Sequence, residues 1–248
     1  MTVTDICYFL RCKDSGVSMY TPFVDALKLH RTQIELATLS SDQHPPLIAS
    51  AIFSLSLYPH LTRLCLSGSQ KGLFSDRYVQ NSIRQIIANS HSLTELDLSF
   101  CNLTDQEGVS IAQAFEYNQS IHIINLSGNM IGENTVIQLS ESITKRPIIY
   151  SLDLSMNKTL STLSAWVNAL SIALPFNTGI KALRLSGSSS AMNKLFTCLK
   201  QIGGVMNFGW VGSSIETPHL LQFLHLFEEI DKDKSQFLKQ AMNSSSKK

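Results

Sequence analysis

One short pattern is written three times between Leu93 and Asn157, and it constrains the fold more than any other property of the chain. Leu93-x-x-Leu96-x-Leu98-x-x-Cys101, Ile121-x-x-Ile124-x-Leu126-x-x-Asn129 and Ile149-x-x-Leu152-x-Leu154-x-x-Asn157 place apolar residues at positions 1, 4 and 6 and Cys or Asn at position 9. Leu96, Ile124 and Leu152 stand 28 residues apart in both intervals. A fixed period of this size marks a solenoid, in which each unit buries its apolar face against its neighbours. With 248 residues the chain would otherwise suit one or two compact domains, and the repetition supersedes that reading.

The spacing has a physical cause. Side chains alternate along an extended segment, so Leu96 and Leu98 turn into the core while Asp97 and Ser99 leave on the opposite side. The residue at position 9 has left the strand, and an Asn there can bond the turn backbone with its amide. Between Leu98 and Ile121, Val109, Ile111, Ala112 and Phe115 recur at helical spacing. Each repeat therefore reads as strand, turn and helix.

The stretches Leu-Thr-Glu-Leu-Asp-Leu-Ser from Leu93, Gly108-Val-Ser-Ile-Ala-Gln-Ala-Phe and Asn118-Gln-Ser-Ile121 resemble the leucine-rich repeat of the ribonuclease-inhibitor type. The resemblance covers roughly residues 30 to 213. It implies an α/β horseshoe with parallel strands on the concave face and helices on the convex face.

Outside the three regular units the frame loosens. Residues 1–33 break the rhythm, with Ile6 to Leu10 strand-like and Phe23 to Leu29 a short helix after Pro22, and are expected to form an N-terminal cap. Six or seven repeats fill 34–213: Ile34 and Leu36 open a degraded one, and Leu61-x-x-Leu64-x-Leu66 and Ile180-x-x-Leu183-x-Leu185 are regular. Val205-x-x-Phe208-x-Trp210 fits the frame against the glycines at 203, 204, 209 and 212. Insertions should sit at Ser67–Gly72 and before a long helix from Leu160 to Leu174. A broadly apolar helix within 214–242 is expected to cap the other end, with a disordered polar tail at 243–248.

Composition excludes several classes of function. A net charge of +1 provides no global field for nucleic acid or an anionic membrane. No apolar stretch approaches a membrane span, and Met1 to Asp14 lack the layout of a secretory signal, so a cytoplasmic protein is expected. Five scattered cysteines (7, 12, 65, 101 and 198) suit a reducing compartment. The sequons at Asn102, Asn118, Asn125 and Asn157 are then chance. No nucleotide-binding, hydrolase or zinc motif is present, so no enzyme activity, metal or cofactor is expected. His219 and His225 lack metal-ligand spacing, Cys65 on the outward side has no adjacent His to activate it, and Cys101 occupies a structural position.

The frame also orders an outward surface. Position 5 holds Cys65, Asp97, Asn125, Asp153 and Arg184; position 3 holds Arg63, Glu95, Ile123, Ser151 and Ala182; position 2 holds Thr62, Thr94, His122, Tyr150 and Lys181. Glu95, Asp97 and Asp153 form a small acidic centre between Arg63 and the Lys181–Arg184 pair. Solvated charge is the bland explanation, but His122 and Tyr150, with Phe100 and Met156 beside them, add the apolar area of a contact surface. Ser67, Ser99, Ser127, Ser155 and Ser186 at position 7 suggest hydroxyls bonded from strand to strand. The expected site is thus Arg63, Glu95, Asp97, His122, Asn125, Tyr150, Asp153, Lys181 and Arg184, holding a protein partner against a monomeric module. Similarity to the repeats of Ran GTPase-activating proteins and of ribonuclease inhibitor implies two alternatives, a small-GTPase regulator or a hydrolase inhibitor. Irregular repeats and many Ser, Asn, Lys and Ile residues lean towards a bacterial effector acting in host cytosol.

Overall fold

The computed structural model describes residues 3–36, 45–69, 73–145, 149–157, 165–176, 180–185, 195 and 207–210. Two helices, α1 (Val3–Asp14) and α2 (Thr21–Lys28), precede strand β1 (Gln33–Glu35). Strand and helix then alternate: α3 (Pro45–Leu55), β2 (Arg63–Cys65), α4 (Arg77–Asn89), β3 (Glu95–Asp97), α5 (Asp105–Phe115), β4 (Ile123–Asn125) and α6 (Glu133–Lys145). After them come β5 (Ser151–Asp153), α7 (Ala165–Ala173), β6 (Ala182–Leu185) and β7 (Asn207–Trp210). The described strands form one parallel sheet in sequence order, β1 to β7. This is an α/β solenoid with parallel strands on one side and helices on the other.

Register follows the sequence frame throughout. Ile34, Leu64, Leu96, Ile124, Leu152, Leu183 and Phe208 lie in one row across the sheet. The five from Leu64 to Leu183 are no more than 1% exposed. Behind them α3 packs on α4, α4 on α5, α5 on α6 and α6 on α7, so each helix covers the gap between adjacent repeats. The seventh strand pairs in frame, Leu183 with Phe208 and Leu185 with Trp210, despite its glycines.

Buried polar side chains tie the turns together. Asn129 accepts on Oδ1 from the Cys101 and Leu103 amides at 2.9 and 3.1 Å, and its Nδ2 donates to the Leu98 and Leu126 carbonyls at 2.9 Å each. Asn157 repeats this one unit on, accepting from Ile131 N and donating to the carbonyls of Leu126 and Leu154. Cys101 fills the equivalent place more weakly, its thiol donating to Leu66 O at 3.0 Å. Burial pushes that thiol up to about 12, which keeps it protonated and inert at neutral pH. A second set lies at the helix ends, where the Asn118 amide donates to Ile87 O and Ser90 O and accepts from Ser120 N and Ile121 N. Asn118 and Asn157 are 2% and 0% exposed, so two of the four sequons within the repeats are closed to modification in the folded state.

On the convex side the helix starts are clamped. The Asp105 carboxylate accepts from Gly132 N, Thr135 N, Thr135 Oγ1 and Asn134 Nδ2 in the next repeat. Burial opposes its ionisation, but these bonds outweigh burial and hold its pKa below the ordinary value. Gly108 permits the approach of α5 to α6, because a Cβ there would lie 2.4 Å from the Thr135 hydroxyl.

Two expectations need correcting or bounding. Ile6 to Leu10 belongs to α1 and is not extended; Thr4, Tyr8 and Cys12, four residues apart, form its buried stripe. A continuous apolar run does not distinguish strand from helix by period. The helix expected from Leu160 to Leu174 is described as α7 followed by a 3-10 turn at Leu174–Phe176, while 158–164 and the stretches 214–242 and 243–248 lie outside the described residues.

Asn129→Ala strands buried amides and carbonyls of two repeats, each worth about 1–3 kcal/mol when left unpaired. The variant should lose roughly 2–4 kcal/mol in urea unfolding. An unchanged midpoint would contradict the structural role of this amide.

Candidate partner-binding surface

The strand register aligns the outward residues into rows. Position 3 runs Arg63, Glu95, Ile123, Ser151, Ala182 and position 5 runs Cys65, Asp97, Asn125, Asp153, Arg184. Position 2 is joined by its own backbone, His122 N to Thr94 O at 2.9 Å, Tyr150 N to His122 O at 2.8 Å and Lys181 N to Tyr150 O at 2.8 Å. Of the expected site residues, the six at positions 3 and 5 therefore lie on the face of the sheet opposite the core, and His122, Tyr150 and Lys181 stand just before the strands that carry them. Tyr150, Lys181 and Arg184 are exposed and the other six half-buried.

Charge on this face is largely spent internally. Arg63 Nε donates to Glu95 Oε1 at 2.7 Å, and that bond raises the guanidinium pKa further. Arg184 Nη1 lies 3.6 Å from Asp153 Oδ2. The acidic centre expected from sequence is thus flanked and partly neutralised from strand to strand, across the sheet. Its aspartates also have a local duty: Asp97 Oδ1 accepts from Ser99 N and Ser99 Oγ at 2.9 and 2.7 Å. Asn125 with Ser127 and Asp153 with Ser155 repeat the arrangement. These Asx turns bend each strand out of the sheet. The expected ladder of serine hydroxyls survives only at Ser67 and Ser99, 2.7 Å apart; the others bond their own repeat, and Ser186 lies outside the described residues. Cys65 also departs from expectation, being 6% exposed, because its short side chain lies below longer neighbours such as the Arg63–Glu95 pair.

Aromatic and apolar area is what this surface leaves open. The His122 and Tyr150 rings lie 4.7 Å apart at 30°, and Tyr150 and Ile123 are 46% and 38% exposed. Phe100 and Met156, expected beside the rings, are exposed as well, and what the sequence reading missed is the backbone of their row. Gly68, Phe100, Gly128 and Met156, all at position 8, have φ of 72°, 54°, 67° and 60°. Glycine adopts this left-handed region freely, whereas Phe100 and Met156 hold it at a cost of about 1 kcal/mol each. Both are about half exposed, and the Phe100 ring lies over Gly128, where an added Cβ would come within 2.4 Å of it. Two glycines at one frame position were the available signal.

Among the described residues no cluster of three or more His, Cys, Asp or Glu side chains could hold a metal. No helix of the described residues is long and apolar enough to cross a membrane.

The double substitution Asp97→Lys and Asp153→Lys removes two Asx turns and should cost roughly 2–4 kcal/mol, well above the ~0.5 kcal/mol of an ordinary exposed site. Asparagine at both positions keeps the acceptor and should be nearly neutral. Equal melting of the lysine and asparagine proteins would remove the structural role of these carboxylates.

Comparison with known proteins bears on the fold. Residues 89–112 match the leucine-rich repeat family. Among solved structures, leiomodin-1 actin-binding site 2 aligns with a TM-score of 0.50 at 14% identity, over 68% of this chain and 98% of that one. The tropomodulin C-terminal domain of Caenorhabditis elegans aligns with a TM-score of 0.43 at 12% identity, over 73% and 92%. No curated protein sequence matches the chain. One repeat of the chain thus matches the leucine-rich type, and its fold is that of a leucine-rich-repeat solenoid.

Proposed function

We propose that this solenoid is a non-catalytic protein-binding module that holds one protein partner against the outward face of its sheet. The observation that carries the reading is the His122–Tyr150 ring pair, with Tyr150 and the neighbouring Ile123 exposed on a face where Arg63 pairs with Glu95 and Arg184 with Asp153. Rigid aromatic anchors ringed by satisfied polar groups are the composition of binding hot spots. Arg63, Glu95, Asp97, Asn125, Asp153, Lys181 and Arg184 form the rim, setting orientation more than affinity. The leiomodin-1 structure is that of an actin-binding site, so the architecture serves protein binding elsewhere; at 14% identity the likeness extends to the fold, and the partner here is to be identified directly.

For biological setting we favour a bacterial effector working in host cytosol, on the irregular repeats and the Ser- and Asn-rich composition. A translocation reporter fused to the chain should give signal inside host cells only with a functional secretion system. Signal without that system, or none with it, would reject the assignment.

Affinity capture from host-cell lysate should return a partner with the wild type that Tyr150→Ala retains poorly. With the purified pair, Tyr150→Ala should weaken binding by about 2 kcal/mol, roughly 30-fold, with unfolding unchanged. Equal affinity would move the contact off this face.

A further inference from the structure

A cavity of about 290 Å³ lies at the first edge of the sheet, where α2 and β1 face each other. Pro22, Phe23, Ala26 and Ile34 make its apolar side, and Arg31 and Arg63 give it two guanidinium groups. Three independent features converge on it. First, β1 is paired only with β2 among the described strands. Thr32 O accepts from Arg63 N and Leu36 N donates to Cys65 O, so by alternation the main-chain groups of Gln33 and Glu35 point away from the sheet. Second, the cations are available. Arg63 spends only Nε on Glu95, leaving both Nη groups, and Arg31 forms no ion pair among the described residues. Third, the site is preformed, because the Arg31 amide donates to Ala26 O at 3.1 Å and fixes α2 against the start of β1.

We propose that this edge binds an extended peptide of alternating acidic and apolar residues, which adds as a further strand beside β1. Its main chain bonds the outward groups of Gln33 and Glu35. Its acidic side chains meet Arg31 and Arg63 on the outward face, and its apolar side chains enter the space against Pro22, Phe23 and Ala26. Strand alternation sends successive ligand side chains to these two faces, which matches a cavity that is cationic on one side and apolar on the other. None of the described lining residues is acidic, and the carboxylate bonded to Arg63, that of Glu95, belongs to β3 on the side away from this edge. This site does not depend on the ring pair, since Tyr150 lies on the repeat of β5.

The test uses fluorescence anisotropy with the full chain and a fluorescein-labelled, C-terminally amidated peptide of alternating valine and glutamate. Saturable binding is expected, with at least about tenfold weaker binding for Arg31→Glu and for Arg63→Gln, and for a valine–lysine peptide. A valine–glutamate peptide N-methylated on the amides of one edge should not bind, because strand addition needs those donors. Tyr150→Ala should leave the affinity unchanged, so loss of the concave reading and loss of this one are distinguishable. Comparable binding of the lysine or N-methylated peptide, binding that requires a free C-terminal carboxylate, or no binding of the glutamate peptide at millimolar concentration would overturn the proposal.

Discussion

The structure depends on side-chain amides buried between turns. A solenoid has no single centre, so each repeat must satisfy the polar backbone that its neighbour's turn exposes to the core. Asn129 and Asn157 do this with the donors and acceptors of one amide, bonding main-chain groups on both sides of a repeat boundary. Cys101, with one weak donor, links Leu66 to its own turn and leaves the Cys101 amide itself to Asn129. The register of the sheet is fixed by these contacts together with the buried Leu and Ile row.

That scaffold decides what the opposite face can offer. Strands of three residues leave few outward positions per repeat, and the turn at the strand end consumes part of them. Asp97, Asn125 and Asp153 serve the Asx turns, and Glu95 serves Arg63. Tyr150, His122 and Ile123 remain as contact area, with the left-handed Phe100 and Met156 one step further along the turn. Binding and folding therefore draw on neighbouring atoms of the same side chains, which is why a charge reversal on this face is not a clean probe of recognition.

Most of the fold was legible because one period repeats one set of contacts. Apolar residues at positions 4 and 6 announced the inward row, and even the glycine-rich seventh strand fell in frame. The first helix was not legible, since a continuous apolar run at Ile6 to Leu10 carries no period of its own. The rows of the candidate site at positions 3 and 5 followed from alternation, while their chemistry did not. The Asx turns had a signal in Asp97-x-Ser99, Asn125-x-Ser127 and Asp153-x-Ser155, which reads as turn chemistry once the strand is known to end there. Burial of Cys65 had none, because it depends on the lengths of side chains from neighbouring strands.

The central claim is that a loop amide here is held as firmly as a strand amide because a buried Asn bridges it to the next repeat. Native-state hydrogen exchange on the unaltered protein tests this at the Cys101, Leu103 and Ile131 amides, which lie outside the strands and donate to Asn129 or Asn157. Protection at these amides equal to that of Leu96 and Ile124 in the strands is the result this account predicts. Exchange at the rate of exposed loop amides would contradict it.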